Sequence, residues 1–208
     1  AQKSKFSYNG KLNFRPFHSY LTGSATEIDF FHFFSANAII KQLLKTEILN
    51  NKNIDFKLNI SASKIKNFNN FTNIFLNSKI QEGLIDLDQT KFSWKNHANF
   101  ILTDSLIYVK NGKLVLDANS KIKLNNLDEI YKFLITPKKL RKKVNKMNIN
   151  FTYVFDEKTL NINDIKIDGF VDNNLHKNLN EINFKENSLQ NKIYLKKFLN
   201  NVIESYAG

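Results

Sequence analysis

The stretch that decides the fold reads Met147-Asn148-Ile149-Asn150-Phe151-Thr152-Tyr153-Val154-Phe155. All of its odd-numbered residues are apolar or aromatic, and all but one of its even-numbered residues are polar. Successive side chains of a β-strand point to opposite faces, so this segment has one apolar and one polar face when it is extended. Burial on one face only is typical of antiparallel sheets, and we therefore predict an antiparallel sheet.

The same alternation recurs elsewhere in the chain and predicts further strands. It is clearest at residues 6–14, at residues 54–62 and at residues 114–124. The last of these follows Asn111-Gly112, a dipeptide that supplies the positive φ angles of a tight hairpin turn, so a strand at 98–109 is expected to pair with it. The apolar phase changes between Ile162 and Ile165, which predicts a bulge and therefore a curved sheet.

Apolar residues at three- and four-residue spacing predict three helical regions between the strands. The first lies near residues 36–49 after a possible N-cap at Ser35, and the last lies near 188–206 after Ser188. The second, near 126–145, is expected to contain two helices, one capped by Asn125 or Asn126 and one beginning at Thr136-Pro137. Residues 67–79 are predicted to form an irregular or briefly helical crossing.

Together these elements predict an α+β, β-dominated protein. Its centre is a curved antiparallel sheet, a groove or open arch, flanked by a few amphipathic helices. We assign residues 1–170 to the sheet and its first two helical regions, and residues 171–208 to a polar connector and a C-terminal amphipathic helix. The run Phe30-Phe31-His32-Phe33-Phe34 is expected to lie beneath the sheet, with a ligand surface as the alternative.

Composition excludes several classes of protein. The chain has 208 residues, of which 42% are hydrophobic and 13% aromatic, and this excludes global disorder. It has no cysteine, which excludes disulfides and thiolate metal sites. No stretch approaches the roughly 20 apolar residues of a spanning helix, and the N-terminus lacks the order of a signal peptide. We therefore expect any membrane anchor to lie outside this chain.

The basic charge has two possible explanations. Lysines and arginines total 31 against 19 acidic residues, a balance that favours nucleic acid or an anionic lipid surface. However, most lysines alternate with apolar residues and are expected on a solvated sheet face. Nucleic acid is unlikely as a partner, because no phosphate loop, zinc-finger spacing or aromatic RNA-binding signature is present. One dense basic cluster remains, and it is either a solvated surface or a site for anionic headgroups: Lys138, Lys139, Arg141, Lys142 and Lys143.

The sequence offers no catalytic or metal-binding constellation. None of the four histidines, His18, His32, His97 and His176, has the spacing that places two ligands on one metal ion. No Gly-x-Ser-x-Gly motif surrounds a serine. Asp86 and Asp88 are more simply explained by a solvated turn than by paired catalytic carboxylates. We therefore expect no metal, no cofactor and no enzymatic activity.

Several strings spread over most of the chain carry a family resemblance. They are Leu12-Asn13-Phe14-Arg15-Pro16-Phe17, Glu82-Gly83-Leu84-Ile85-Asp86-Leu87, Ile130-Tyr131-Lys132-Phe133-Leu134 with Pro137-Lys138-Lys139-Leu140-Arg141, and Tyr153-Val154-Phe155-Asp156 with Leu160-Asn161-Ile162-Asn163-Asp164-Ile165-Lys166-Ile167-Asp168-Gly169. In this order they resemble the AsmA-like family of bacterial envelope proteins. The resemblance rests on a pattern of strings and includes no catalytic signature.

The resemblance implies a periplasmic protein, tethered to the inner membrane in its full-length form, that binds or conducts lipid between membranes and supports outer-membrane assembly. Phospholipid or another amphiphile is then the ligand, the membrane and other envelope proteins are the further partners, and this chain is one unit of a longer protein. The residues expected to line the groove are those of the apolar parity: Phe6, Tyr8, Phe14, Phe56, Leu58, Ile60, Phe92, Trp94, Phe100, Leu102, Phe151 and Tyr153.

Two alternatives to a lipid groove remain open. If helices cover the apolar face, the same residues form an ordinary core, and the chain is a structural or docking module of an envelope complex. A basic nucleic-acid-binding domain is the less favoured alternative. The sequence does not distinguish an open groove from a covered core.

Overall fold

Strands dominate the fold, as the alternating pattern predicts. The computed structural model describes residues 6–14, 17–29, 39–46, 48–171, 183–185 and 192–206. Twelve strands form one sheet. They are β1 (Phe6–Phe14), β2 (Phe17–Ile28), β3 (Ile54–Ile65), β4 (Phe68–Gln81), β5 (Leu84–Asp86), β6 (Lys91–Trp94), β7 (Ala98–Lys110), β8 (Lys113–Leu124), β9 (Lys146–Val154), β10 (Thr159–Ile167), β11 (Phe170–Val171) and β12 (Asn183–Lys185).

The order of the strands follows the chain closely. It runs β1-β2-β3-β4-β5-β7-β8-β9-β10-β11, and β12 also pairs with β10. The short strands β5 and β6 both lie between β4 and β7, because each pairs with both neighbours. The α+β, β-dominated fold class is therefore confirmed.

One pair of strands departs from the predicted antiparallel arrangement. β2 and β3 are parallel, with Phe17 opposite Ile54 and Ala25 opposite Ala62, so the sheet is mixed. A parallel pair needs a long crossover, and the helical segment between β2 and β3 supplies it. The alternating pattern could not reveal this, because a strand with one solvated face has period two in either direction.

The prediction of an irregular crossing at residues 67–79 is wrong, because all of these residues after Asn67 belong to β4. Its apolar residues change phase between Phe71 and Ile74, where Asn73 has a φ of 52°. The pairing of β4 with β6 shifts register at this point, between Thr72 and Phe75. A bulge therefore broke the alternation and concealed the strand.

Three α-helices are found among the described residues: α1 (Ile39–Lys45), α2 (Leu127–Leu134) and α3 (Lys192–Ser205). They fall within the three predicted helical regions. Asn126 caps α2, because its side chain accepts a hydrogen bond from the Glu129 N–H. The other proposed caps, Ser35 and Ser188, lie outside the described residues, as does the 30–34 run.

The predicted second helix after Pro137 is wrong. Only a 3-10 turn forms there, at Lys138–Leu140, and residues 141–145 are not helical. Ile135 ends α2 in the left-handed region with a φ of 60°. The Tyr131 hydroxyl then donates to the Lys142 carbonyl and accepts from the Lys142 N–H, which fixes the following segment against α2.

Two local predictions are confirmed. Asn111 and Gly112 have φ angles of 52° and 72° and connect β7 to β8 in a hairpin. The pairing of β9 with β10 shifts register between Ile162 and Asp164, where the bulge was expected. The division at residue 170 stays a prediction, although α3 packs on the sheet through Phe198 and Val202.

Candidate functional site

The predicted lining residues whose side chains are described project from one face of the sheet, which we call the apolar face. Directly opposite residues of paired strands share a face. One such row crosses eight strands and is apolar except at its first member: Ser19, Phe56, Ile80, Ile85, Ile107, Leu116, Tyr153 and Leu160. A second row crosses the later strands: Phe92, Phe100, Ile122, Met147 and Ile167.

Aromatic rings cluster on this face where β4, β6 and β7 meet. Phe92 and Phe100 stack, with ring centroids 4.7 Å apart and an interplanar angle of 9°. Phe71 meets both rings edge-on, at 5.7 Å from Phe92 and 6.0 Å from Phe100. Phe71 was not among the predicted lining residues, because the bulge at Asn73 removes it from the alternating pattern.

Beyond the cluster, β8 presents small side chains between larger ones. Ala118 and Ser120 lie on the apolar face of β8. Leu102 of β7 is opposite Ser120 on one side, and Ile149 and Phe151 of β9 are opposite Ser120 and Ala118 on the other. Ala118 and Ser120 are buried, so the larger side chains around them form the surface here. We call the half-buried rings of Phe71, Phe92, Phe100 and Phe151 the aromatic strip.

Helix α1 covers one end of the apolar face. Leu44 packs with Ile85, Ile107 and Leu114 in a buried cluster. The helix is fastened by Asp156, whose carboxylate lies 3.1 Å from the Lys41 ammonium and 2.7 Å from that of Lys45.

The position of Asp156 changes its acidity. Partial burial alone would raise the pKa of Asp156, but hydrogen bonds from Lys45, the Leu114 N–H and Lys41 outweigh it and lower the pKa to about 2. The carboxylate is therefore charged at neutral pH and holds α1 to the turn between β9 and β10.

Helices α2 and α3 cover the other end. Phe198 and Val202 of α3 pack on Met147, Ile165 and Ile167. Trp94, a predicted lining residue, lies here and contacts Phe133 of α2 at a centroid distance of 4.8 Å. Its half-buried ring therefore belongs to the packing between α2 and the sheet. The aromatic strip lies between these two ends, and its Phe92 ring also packs against a buried cluster that includes Ile60, Ile74 and Leu76.

The remaining predicted lining residues lie toward the opposite edge or deeper in the sheet. Tyr8 and Phe14 are 74% and 75% exposed on β1, and the side chain of Phe6 lies outside the described residues. On β3, Phe56 and Leu58 are half-buried and Ile60 is buried. Leu102 is buried and Tyr153 half-buried. The eleven residues whose side chains are described thus share a face, but they do not form one continuous open surface.

The reverse side of the sheet is polar. Asp117 accepts hydrogen bonds from the Tyr108 hydroxyl and, at 2.6 Å, from the Thr152 hydroxyl. Asn163 extends this network by donating to Thr152 at 3.0 Å and to Asn150 at 2.9 Å. The hydrogen bond to Asp117 raises the pKa of Tyr108 to about 12. Solvent and polar ladders therefore occupy the face away from the candidate site.

The structure divides the basic cluster into two groups. The Arg141 Nε donates to the Thr136 carbonyl at 3.1 Å, and the Lys142 ammonium donates to the Tyr206 carbonyl. These two side chains therefore have internal partners. Lys138, Lys139 and Lys143 are exposed, and no acidic residue of the described part of the chain pairs with them. These three cations point to solvent near α2 and α3.

The described residues contain no group of three or more histidine or acidic side chains that could hold a metal ion. Asp86 accepts from the Asp88 N–H at 2.7 Å, and Asp88 accepts from the Ser105 N–H at 2.7 Å. These carboxylates therefore order a turn.

None of α1, α2 and α3 is long and apolar enough to span a membrane. No protein-family model, curated protein or solved structure matches the chain.

Proposed function

We propose that this chain is a non-enzymatic bacterial envelope protein that binds the acyl chains of phospholipid or another amphiphile on its apolar face. In the full-length protein it is periplasmic, tethered to the inner membrane, and conducts lipid between membranes in support of outer-membrane assembly. The envelope setting rests on the resemblance to the AsmA-like family. The site rests on the geometry of the apolar face.

The aromatic strip is the observation that carries the proposal. Its rings are half-buried and lie between ends of the sheet that helices cover. An acyl chain lying along the strip would contact the faces of these rings. Each methylene removed from water gains roughly 0.8 kcal/mol, so an acyl chain can bind here without any catalytic or charged group.

Native mass spectrometry with lipid extraction tests this site. The protein is purified without detergent from a Gram-negative host, and the bound amphiphile is identified. We expect copurified phospholipid in the wild type and its loss when Phe92, Phe100 and Phe151 are replaced by serine. Circular dichroism establishes that the variant is folded.

Phe75 provides a matched control. It is 37% exposed and lies opposite Ser61 and Lys91, on the polar side of the sheet. Phe75→Ser therefore removes the same ring from the other face and is expected to retain lipid. A wild-type protein that carries no lipid, or a strip variant that binds as much as Phe75→Ser, would contradict the proposal.

The exposed part of the basic cluster is proposed to contact anionic headgroups. Lysines near such a surface contribute about 1 kcal/mol each at low salt. Replacing Lys138, Lys139 and Lys143 by glutamine should weaken binding to vesicles containing phosphatidylglycerol. Replacing three exposed lysines elsewhere, Lys52, Lys95 and Lys110, makes the same charge change as a control. Equal binding by both triple variants would exclude the headgroup role.

A docking module of an envelope complex is the second candidate. It is favoured by the extent to which α1, α2 and α3 cover the apolar face. This alternative predicts a protein that is free of amphiphile and excludes apolar dyes from the strip. The lipid measurement above therefore separates the two candidates.

A further inference from the structure

The residue that ends α2 is unfavourable for folding in two ways. The Ile135 N–H donates to the Lys132 carbonyl, and the next N–H donates to the Tyr131 carbonyl. This pattern is typical of a helix end whose left-handed residue is glycine. Ile135 has a φ of 60° there, which is sterically strained for a β-branched residue. Its side chain is also 74% exposed, so it gains little from burial. Glycine would avoid both disadvantages.

The residues on either side of Ile135 hold it in this position. Leu134 and Thr136 are both buried. The Thr136 hydroxyl donates to the side-chain carbonyl of Asn200 on α3 at 2.5 Å, and the Asn200 amide donates to the Leu134 carbonyl at 3.0 Å. The Arg141 Nε donates to the Thr136 carbonyl. Because its neighbours are fixed to the interior, the Ile135 side chain is held outward, and no rearrangement is needed to present it.

The surface that follows Ile135 in the chain is basic. Pro137 is exposed, and so are Lys138, Lys139 and Lys143, which pair with no acidic residue of the described part of the chain. Segments that lie on a membrane surface combine these two features. Their lysines attract anionic headgroups, and an apolar side chain enters the boundary between headgroups and acyl chains.

We propose that Ile135 is the apolar anchor of a membrane-docking surface and inserts below the headgroups of an anionic bilayer. This inference rests on the proposed contact of Lys138, Lys139 and Lys143 with headgroups and adds the apolar part of the interface. Charge complementarity selects an anionic bilayer as the occupant of this surface. Strained backbone persists at positions that serve function, and at Ile135 the strained geometry directs an isoleucine side chain to the membrane.

Vesicle co-sedimentation of Ile135→Gly tests the anchor. This variant removes the side chain and the backbone strain together, so the midpoint of urea unfolding should rise. Binding to vesicles that contain phosphatidylglycerol should nevertheless weaken about tenfold, because the apolar contact is lost. Weaker binding by a more stable protein excludes misfolding as its cause.

Ile48→Ser is the matched control for Ile135→Ser. Ile48 is 58% exposed, and the carbonyl of the next residue accepts from the Gly83 N–H, so Ile48 lies at the end of the sheet that α1 covers. Both variants replace an exposed isoleucine by serine, but only Ile135→Ser should weaken vesicle binding. Its relative effect should be the same at low and at moderate salt, because salt screens the lysines and not an apolar contact.

A fluorescent label measures insertion directly, since the chain has no cysteine of its own. An environment-sensitive dye attached to Ile135→Cys should shift its emission to shorter wavelength on these vesicles. Lipids that carry a quencher on their acyl chains should quench it. The same dye attached to Ile48→Cys should respond to neither.

Three outcomes would overturn the anchor: no binding of the wild type to anionic vesicles, equal binding by Ile135→Ser and Ile48→Ser, or an unchanged emission at residue 135 on bound protein. The first would assign this surface to an acidic protein partner instead. If only the glutamine variant of Lys138, Lys139 and Lys143 lost binding, the headgroup contact would stand and the anchor would fall. Lipid that copurifies on the aromatic strip is measured separately and does not depend on either result.

Discussion

The covered ends of the apolar face and the aromatic strip between them arise from the same alternating pattern, yet their surroundings differ. Beneath α1, Ile107 and Leu114 are completely buried. In the strip, Phe92 and Phe100 are only half-buried, although Phe100 occupies the same strand as Ile107. The covered ends are mainly aliphatic, and the strip is aromatic.

The proposed lipid site requires one face to provide both a core and a binding surface, and this difference is consistent with that requirement. Aliphatic residues gain their stability from burial, so they need a helix above them. The rings of Phe71, Phe92 and Phe100 contact one another, and such pairs contribute about 0.5–1.5 kcal/mol beyond burial. These contacts can therefore hold the rings together although they are only half-buried.

The largest expected effect contrasts a covered residue with a strip residue. Leu114→Ala opens a cavity beneath α1 and should lower the free energy of unfolding by about 2–5 kcal/mol. Phe100→Leu leaves no enclosed cavity in its half-buried position but loses the ring contacts with Phe71 and Phe92, so it should cost about 1–3 kcal/mol, less than Leu114→Ala. Urea unfolding followed by circular dichroism measures both values.

Leu84→Ala is the control for the first substitution. Leu84 is 42% exposed on β5, so its truncation leaves no enclosed cavity and should cost clearly less than Leu114→Ala. If Leu114→Ala and Leu84→Ala were equally destabilising, the end beneath α1 would not be a closed core, and it would not differ from the aromatic strip in this respect.

The sequence predicted the elements whose cause is local. β8 and β9 follow from uninterrupted alternation, the β7–β8 turn follows from Asn111-Gly112, and the start of α2 follows from the Asn126 cap. Each of these depends on neighbouring residues, so one stretch of sequence is sufficient. Parity within a strand likewise predicts which of its residues share a face, whereas the face common to several strands depends on the register between them.

The features that the sequence did not predict depend on distant contacts or on a single bulge. The bulge at Asn73 hid both β4 and Phe71. The bonds between Tyr131 and Lys142 hold residues 141–145 out of a helix that Pro137 favours locally. The cover of the apolar face comes from Leu44 and Phe198, whose partners are far away in sequence. No local pattern reports which part of a face a remote helix will cover.

A second effect, of intermediate size, concerns the attachment of α1. Asp156→Asn leaves the Lys41 ammonium without its carboxylate, although the Lys41 side chain is only 7% exposed. The free energy of unfolding should fall by about 1–3 kcal/mol at neutral pH. Hydrogen exchange in Asp156→Asn should show faster opening of α1 than of α3, because of these two helices only α1 loses a contact with the Asp156 carboxylate.

The same carboxylate makes a pH-dependent contribution to stability. The pKa of Asp156 is lowered from 3.8 to about 2 in the folded state, so its contribution is present above pH 4 and is lost as the pH falls toward 2. Unfolding free energies measured across this range should show a shallower acid dependence in Asp156→Asn. Glu157→Gln is the control, because its ion pair with Lys113 is largely exposed and contributes little. An unchanged acid profile in Asp156→Asn would contradict the proposed attachment.

The smallest expected effect concerns one hydrogen bond on the polar face, and its size indicates how much that face contributes to the free energy of unfolding. Tyr108→Phe removes one hydrogen bond to Asp117 and should cost about 0.5–1.5 kcal/mol, less than Leu114→Ala. The folded-state pKa of Tyr108 is raised from 10.0 to about 12, so its contribution is present below pH 10 and is lost as the pH rises toward 12. A difference absorbance titration between the wild type and Tyr108→Phe isolates this group, and Asp117→Asn should return its pKa toward 10. If Asp117→Asn left the pKa of Tyr108 unchanged, the Asp117 carboxylate would not be what holds the Tyr108 hydroxyl. The polar face would then contribute to stability through the hydrogen bonds of Asn163 and Thr152 alone.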